Sequence, residues 1–203
     1  HYALHPIDAR VAGAEDSNGL DISRDGSKIV FVGTSSDGKE PGLFLKSPDQ
    51  AEPRFLPGTE GARGPFFSPD GEWIGYFTQN EMRKISLHGG SPISLTQTGD
   101  RRGAFWHPDG TIYFVGRSAA PIMKISSSGG EVSAVTALDD ARQERTHRWP
   151  SLVPGNKAFL YTSDTHESTE FYDDARIEAF DLVTGLSKVV LEGSSRAVAL
   201  ASG

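Results

Sequence analysis

The chain has 203 residues, 36% of them hydrophobic and 23% charged, and it contains no cysteine. That is enough apolar material for a sizeable core, and it excludes disulfides and zinc–thiolate sites. The formal net charge of −7 argues against sequence-independent binding of a phosphate backbone, and no apolar run approaches the ~18 residues of a membrane span.

Taken in chain order, His1-Tyr2-Ala3-Leu4-His5 has neither the basic start nor the apolar stretch of a secretion signal. The first repeating unit follows. The turn Ser23-Arg24-Asp25-Gly26 precedes short apolar runs at 28–32, 42–46 and 54–56, each read as a strand. In the second unit, 64–68 leads into Ser68-Pro69-Asp70-Gly71, then 72–77 and 81–87. His88-Gly89-Gly90 turns the chain into 92–96. Proline at such a turn fixes φ, and glycine accepts the positive φ that closes it. The third unit repeats the order: 104–106, the turn His107-Pro108-Asp109-Gly110, 111–115, 122–125, the turn Ser128-Gly129-Gly130 and 131–136. The stretch 139–145 is the one helical candidate and reads as a loop or single turn. The fourth unit has Val153-Pro154-Gly155, then 158–162, 176–182, the turn Thr184-Gly185 and 186–191. A degraded fifth copy of the turn is Ala201-Ser202-Gly203.

Successive turn glycines are 45, 39, 45 and 48 residues apart. Short strands and Gly-rich turns at a period of about 40–50 residues predict an all-β fold, a β-propeller of four-stranded antiparallel blades. We expect one propeller domain over 1–203, with blades near 18–61, 62–101, 102–145 and 146–194, and the start of the next at 195–203. Strand aromatics such as Phe67, Tyr76, Phe105, Phe159 and Tyr161 are expected to fill the space between blades.

The run GPFFSPDGEWIGYF and the following Lys84-Ile85-Ser86-Leu87-His88-Gly89-Gly90 resemble the PD40 (WD40-like) repeat of TolB-like β-propellers. A narrower similarity rests on Leu56-Pro57-Gly58-Thr59-Glu60-Gly61-Ala62, the pairs Arg63-Gly64 and Arg102-Gly103, His147-Arg148-Trp149-Pro150 and Tyr172-Asp173-Asp174-Ala175-Arg176. These look like the propeller regions appended to bacterial serine/threonine protein kinases. That resemblance implies a sensor or protein-interaction module with no catalysis, cofactor or metal of its own. It favours a periplasmic or other extracytoplasmic setting, with a cytoplasmic one still open. No paired Gly-rich loop and Lys, H-R-D or D-F-G occurs in the chain. TolB-like propellers also resemble the gating propellers of prolyl oligopeptidase-type enzymes, whose serine sits in a separate hydrolase domain. Gly185-Leu186-Ser187-Lys188-Val189 departs from the nucleophile elbow at its last position. Family members close rings of about six blades. Four blades and a strand are therefore expected to be completed by further residues, or by a second copy in a homodimer.

Aligning the repeats on their turn glycines places Asn18, Arg63, Arg102, His147 and Ser195 eight residues earlier. Seven residues earlier stand Gly19, Gly64, Gly103, Arg148 and Arg196. In a propeller this is the start of the innermost strand, beside the central channel. Arg63, Arg102, His147, Arg148 and Arg196 are thus candidates to bind an anionic feature of a protein or peptide. The other reading is that each arginine pairs with a neighbouring acid or with carbonyls of the adjacent blade. A glycosidase or lyase propeller would need paired carboxylates there instead. The acidic stretch 164–174 lacks calcium-loop spacing and reads as a solvated insertion or a partner-binding loop. The six histidines show no zinc-site spacing.

Overall fold

The computed structural model describes residues 10–11, 19–34, 41–165, 174–193 and 196–199. The fifth turn copy and most of the acidic stretch, 166–173, lie outside them. The chain divides into two compact units, His1–Gln97 and Thr98–Gly203.

In the first unit, β1 (Arg10–Val11), β2 (Leu20–Ile22), β3 (Ile29–Thr34), β4 (Gly42–Lys46) and β5 (Arg54–Phe55) form one antiparallel sheet. β1 and β2 share the same side of β3, at different heights. β6 (Arg63–Phe67), β7 (Trp73–Phe77), β8 (Glu81–Ser86) and β9 (Ile93–Gln97) form the second sheet in chain order. In the second unit, β10 (Ala104–Trp106), β11 (Thr111–Phe114), β12 (Met123–Ser126) and β13 (Ser133–Ala134) form a third sheet. β14 (Thr146–Leu152), β15 (Ala158–Asp164), β16 (Arg176–Asp181) and β17 (Ser187–Glu192) form a fourth. Apart from β1, each sheet is a meander of sequential strands, which is the architecture of a propeller blade. The stretch 139–145 holds a single 3₁₀ turn, Asp140–Arg142, whose start is capped by Asp139 accepting from Ala141 N–H.

The repeated turn explains why the strands begin where they do. The Gly26, Gly71 and Gly110 amides donate to the carbonyls of Ser23, Ser68 and His107 at 2.7, 2.9 and 3.0 Å. Their φ angles are +71°, +70° and +89°, a region glycine enters without a Cβ clash. The aspartate two residues after the turn's start holds it closed. Asp25, Asp70 and Asp109 accept from the amides of Ser27, Glu72 and Thr111 at 3.0, 3.0 and 2.8 Å. The serine hydroxyls of Ser23 and Ser68 complete the clasp on the same aspartates, lowering both carboxyl pKa values, Asp25 to about 2. The turns are also tied to one another within each unit. Lys28 Nζ donates to Gly71 O at 2.9 Å in the first, and His107 Nε2 bonds Asn156 O at 3.0 Å in the second.

Strand alternation sends one face of each sheet into a core shared with the neighbouring blade of the same unit. In the first unit Val30, Val32, Leu43 and Leu45 pack with Phe67, Ile74, Tyr76 and Ile85. In the second, Phe105, Tyr113, Val115 and Ile122 pack with Phe159, Tyr161 and Phe180. The rings of Phe105 and Tyr113 stack at 4.9 Å, and those of Phe159 and Phe180 at 5.0 Å.

Candidate binding site at the leading strands

The first strands of the second and fourth blades begin with a bulge at an arginine, and in the third the residues just before β10 make a matching two-to-one contact. In the second blade Arg63 pairs with Phe77 and Phe66 with Gly75, so the register slips between them. In the fourth, Arg148 pairs with Thr162 and Ser151 with Leu160, with the same slip. In the third, Arg102 N–H donates to Val115 O and Val115 N–H to Gly103 O, at 2.9 and 3.0 Å. Phe77, Val115 and Thr162 each lie four residues past the first residue of β7, β11 and β15, Val115 just beyond the end of β11. The position that repeats structurally is therefore Arg63, Arg102 and Arg148, and not His147.

The turn of the fourth blade accounts for the one-residue difference. There Asn156 N–H, not that of Gly155, donates to Val153 O at 3.1 Å. Gly155 takes φ +94° one residue earlier, and Asn156 takes +59°. Proline followed by a positive-φ glycine is a type II turn, and asparagine is tolerated in the left-handed position after it. Asn156, not Gly155, is thus the equivalent of Gly26, Gly71 and Gly110. Counting back from it puts Trp149 where the other blades have Gly64 and Gly103. All three have positive φ: +53° for Gly64, +102° for Gly103 and +49° for Trp149. For a bulky side chain this is a strained backbone. Trp149 N–H donates to Arg102 O at 2.7 Å, joining the leading strands of the third and fourth blades. A Cβ on Gly103 would lie 3.0 Å from Trp149 Cα, so glycine is what allows the two backbones to meet.

The five sequence-derived residues sit in different environments. Arg63 and Arg196 are exposed. Arg102 is 7% exposed and grips Asp100 with both terminal nitrogens at 2.9 Å, a two-pronged ion pair. Arg148 is fully buried; its Nη1 lies 3.7 Å from Asp164 Oδ2, and Asp164 is fully buried too. The Arg148 guanidinium carbon stands 5.9 Å from the centre of the Trp149 ring. His147 points to the opposite face of its strand. It is buried, with Nδ1 2.7 Å from Thr136 Oγ1, Nε2 3.2 Å from Glu144 and its ring 4.7 Å from that of Tyr161.

Glu144 is the hub of a polar cluster that the sequence did not reveal. It accepts from Asp139 N–H at 2.8 Å and pairs with Arg142, which also approaches Glu178 at 3.8 Å. Glu178 accepts from Tyr161 and Ser163 at 2.7 and 2.8 Å. Burial pushes the Glu144 carboxyl up, but His147, the Asp139 amide and Arg142 outweigh it and leave its pKa below the usual range. Burial, reinforced by Glu178, pushes the Tyr161 phenol up. Among the described residues, no group of three or more His, Asp or Glu side chains is placed to hold a metal ion. No helix among them is long and apolar enough to cross a membrane.

No family model matches the chain, and no curated protein matches it. Solved structures do. The putative TolB from Agrobacterium tumefaciens is 20% identical, with a TM-score of 0.69 over 85% of this chain and 64% of that one. TolB from Acinetobacter baumannii is 19% identical, with a TM-score of 0.64 over 85% of this chain and 42% of that one. The β-propeller domain of the Trilobed protease from Pyrococcus furiosus, described as having an open velcro topology, is 18% identical, with a TM-score of 0.57 over 86% of this chain and 57% of that one. The chain thus spans less than two thirds of each of these proteins. At these identities the likeness establishes the β-propeller fold.

Proposed function

We propose that the chain is a non-catalytic binding module, part of a larger protein, that takes an acidic segment of a protein or peptide at the leading-strand ends of its blades. The observation that carries this reading is the repeated bulge that brings Arg63, Arg102 and Arg148 to one structural position in three successive blades. A recurrent guanidinium on rigid strands suits carboxylate recognition. In this reading exposed Arg63 and exposed Arg196 each offer a direct contact on their own unit, and Arg102 is held by Asp100. Buried Arg148 and His147 brace the strand. The net charge of −7 supports a protein partner over nucleic acid. The resemblance to kinase-appended and TolB-like propellers supports an extracytoplasmic sensor linked to a kinase.

The test is fluorescence anisotropy of a short labelled Glu/Asp-rich peptide. Binding that weakens with salt, and weakens about tenfold in Arg63→Ser, is expected for a charge-assisted contact. No binding by the unaltered chain, or equal binding by the variant, overturns the reading.

A second reading is favoured by the likeness to the propeller domain of a protease: an accessory propeller that gates a serine hydrolase domain. The adjoining coding sequence separates the two, a hydrolase domain supporting the second and kinase motifs the first.

A further inference from the structure

One residue after the repeated arginines, the second and third blades carry Gly64 and Gly103, which take a positive φ without strain. The fourth blade carries Trp149 there, at φ +49°. Two constraints oppose that conformation. A bulky side chain disfavours positive φ, and Pro150 favours an extended backbone at the residue before it. Glycine meets the backbone geometry in the other two blades, so the strain is tied to the indole itself. Strain of this kind persists where surrounding contacts fix it, and it gathers at sites that hold ligands.

The contacts that fix Trp149 also position its ring. Its N–H donates to Arg102 O at 2.7 Å, ahead of β10, and not to β15 of its own sheet. An ideal Cβ on Gly103 would lie 3.0 Å from Trp149 Cα and 3.5 Å from its Cδ1, so the indole rests against the Gly103 backbone. The Arg148 guanidinium carbon stands 5.9 Å from the ring centre. Arg148 and Pro150 on either side are buried, whereas Trp149 is only half-buried. The ring is thus anchored along one part and open to solvent along another.

We propose that Trp149 is a specificity-determining residue of the binding site, and that an aromatic side chain of the bound acidic segment stacks on its open part. The proposal rests on the acidic-peptide reading given above. An acidic segment brings no cation of its own to the ring, and Arg148 already supplies one. The remaining indole surface suits a flat apolar group, in offset or edge-on geometry.

The test is fluorescence anisotropy with two labelled peptides alike in their Glu/Asp residues, one with Phe and the other with Ser at one central position. The Phe peptide is expected to bind the 203-residue chain about tenfold more tightly. Trp149→Gly should bring both peptides to the affinity of the Ser peptide for the unaltered chain, and Trp149→Phe should keep most of the preference. The melting temperature of Trp149→Gly should stay within about 4 °C of the original or exceed it, because relief of the strained backbone offsets the lost ring contacts. Equal binding of the two peptides by the unaltered chain, a preference that survives in Trp149→Gly, or a larger fall in that variant's melting temperature overturns the proposal and leaves the acidic-peptide site standing. Binding of neither peptide by the unaltered chain overturns the acidic-peptide site, and this proposal with it.

Discussion

The buried pair in the fourth blade allows a quantitative test. Replacing Asp164 by Asn keeps the shape and removes the charge facing Arg148. At 3.7 Å, the Coulomb attraction of two unit charges is about 4–5 kcal/mol at an effective dielectric of about 20. Breaking a buried pair from one side costs about 3–5 kcal/mol, because the remaining charge stays out of water. Both estimates point to about 4 kcal/mol. With a urea m-value of about 2 kcal/mol per molar, the midpoint should fall by about 2 M with little change in slope. Urea melts at neutral pH read this directly through tryptophan fluorescence, since Trp149 neighbours the pair. Replacing both partners by apolar residues, Arg148→Met with Asp164→Leu, should recover most of the loss. A loss below about 1 kcal/mol for Asp164→Asn, or a double variant as unstable as the single, would refute the view that this buried pair stabilises the fourth blade.

Two further outcomes follow from the packing and the charges. An ideal Cβ on Gly75 would lie 2.3 Å from the Phe66 ring, its cross-strand partner. Gly75→Ala should therefore cost about 1–3 kcal/mol, whereas Gly26→Ala, with open space around it and φ +71°, should cost about 1 kcal/mol of backbone strain. Equal or higher melting temperature in Gly75→Ala would show that the ring moves aside freely. Glu144 has its carboxyl pKa held below the unfolded value, so its contribution is present above the ordinary carboxylate range and disappears as pH falls through the folded pKa. Glu144→Gln should flatten the acid limb of a stability–pH profile below about pH 4.5, and an unchanged limb would assign that limb to other carboxylates.

Much of the fold is written in the turns. Aspartate and glycine at fixed offsets each satisfy a local hydrogen bond, so strand starts at Trp73 and Thr111 could be read within a residue or two. Outer strands were less legible. The run 131–136 yields only Ser133–Ala134, because Thr136 Oγ1 accepts from Ile122 N–H, a side-chain bond in place of a ladder bond. The arginine register was hidden by a single glycine. Val153-Pro154-Gly155 looks like its counterparts, but a type II turn moves the equivalent position to Asn156, and only backbone angles reveal it. The Glu144 cluster was beyond reach for another reason. It joins residues of separate strands and of the 3₁₀ turn, and no local pattern marks a contact between Glu144 and His147 or between Tyr161 and Glu178.

The sequential order of strands from β2 to β5 and within each of the other three sheets has a kinetic consequence. Apart from that of β1 with β3, every ladder joins neighbours in the chain, so pairing closes short loops and the entropy of closure stays small for an all-β protein. Each blade can gather its own hydrogen bonds soon after it leaves the ribosome, and within each unit the second blade then docks on a surface already formed. Disruption of one turn, such as that at Asp109, should slow the blade that contains it and leave earlier ones to fold at their own rate.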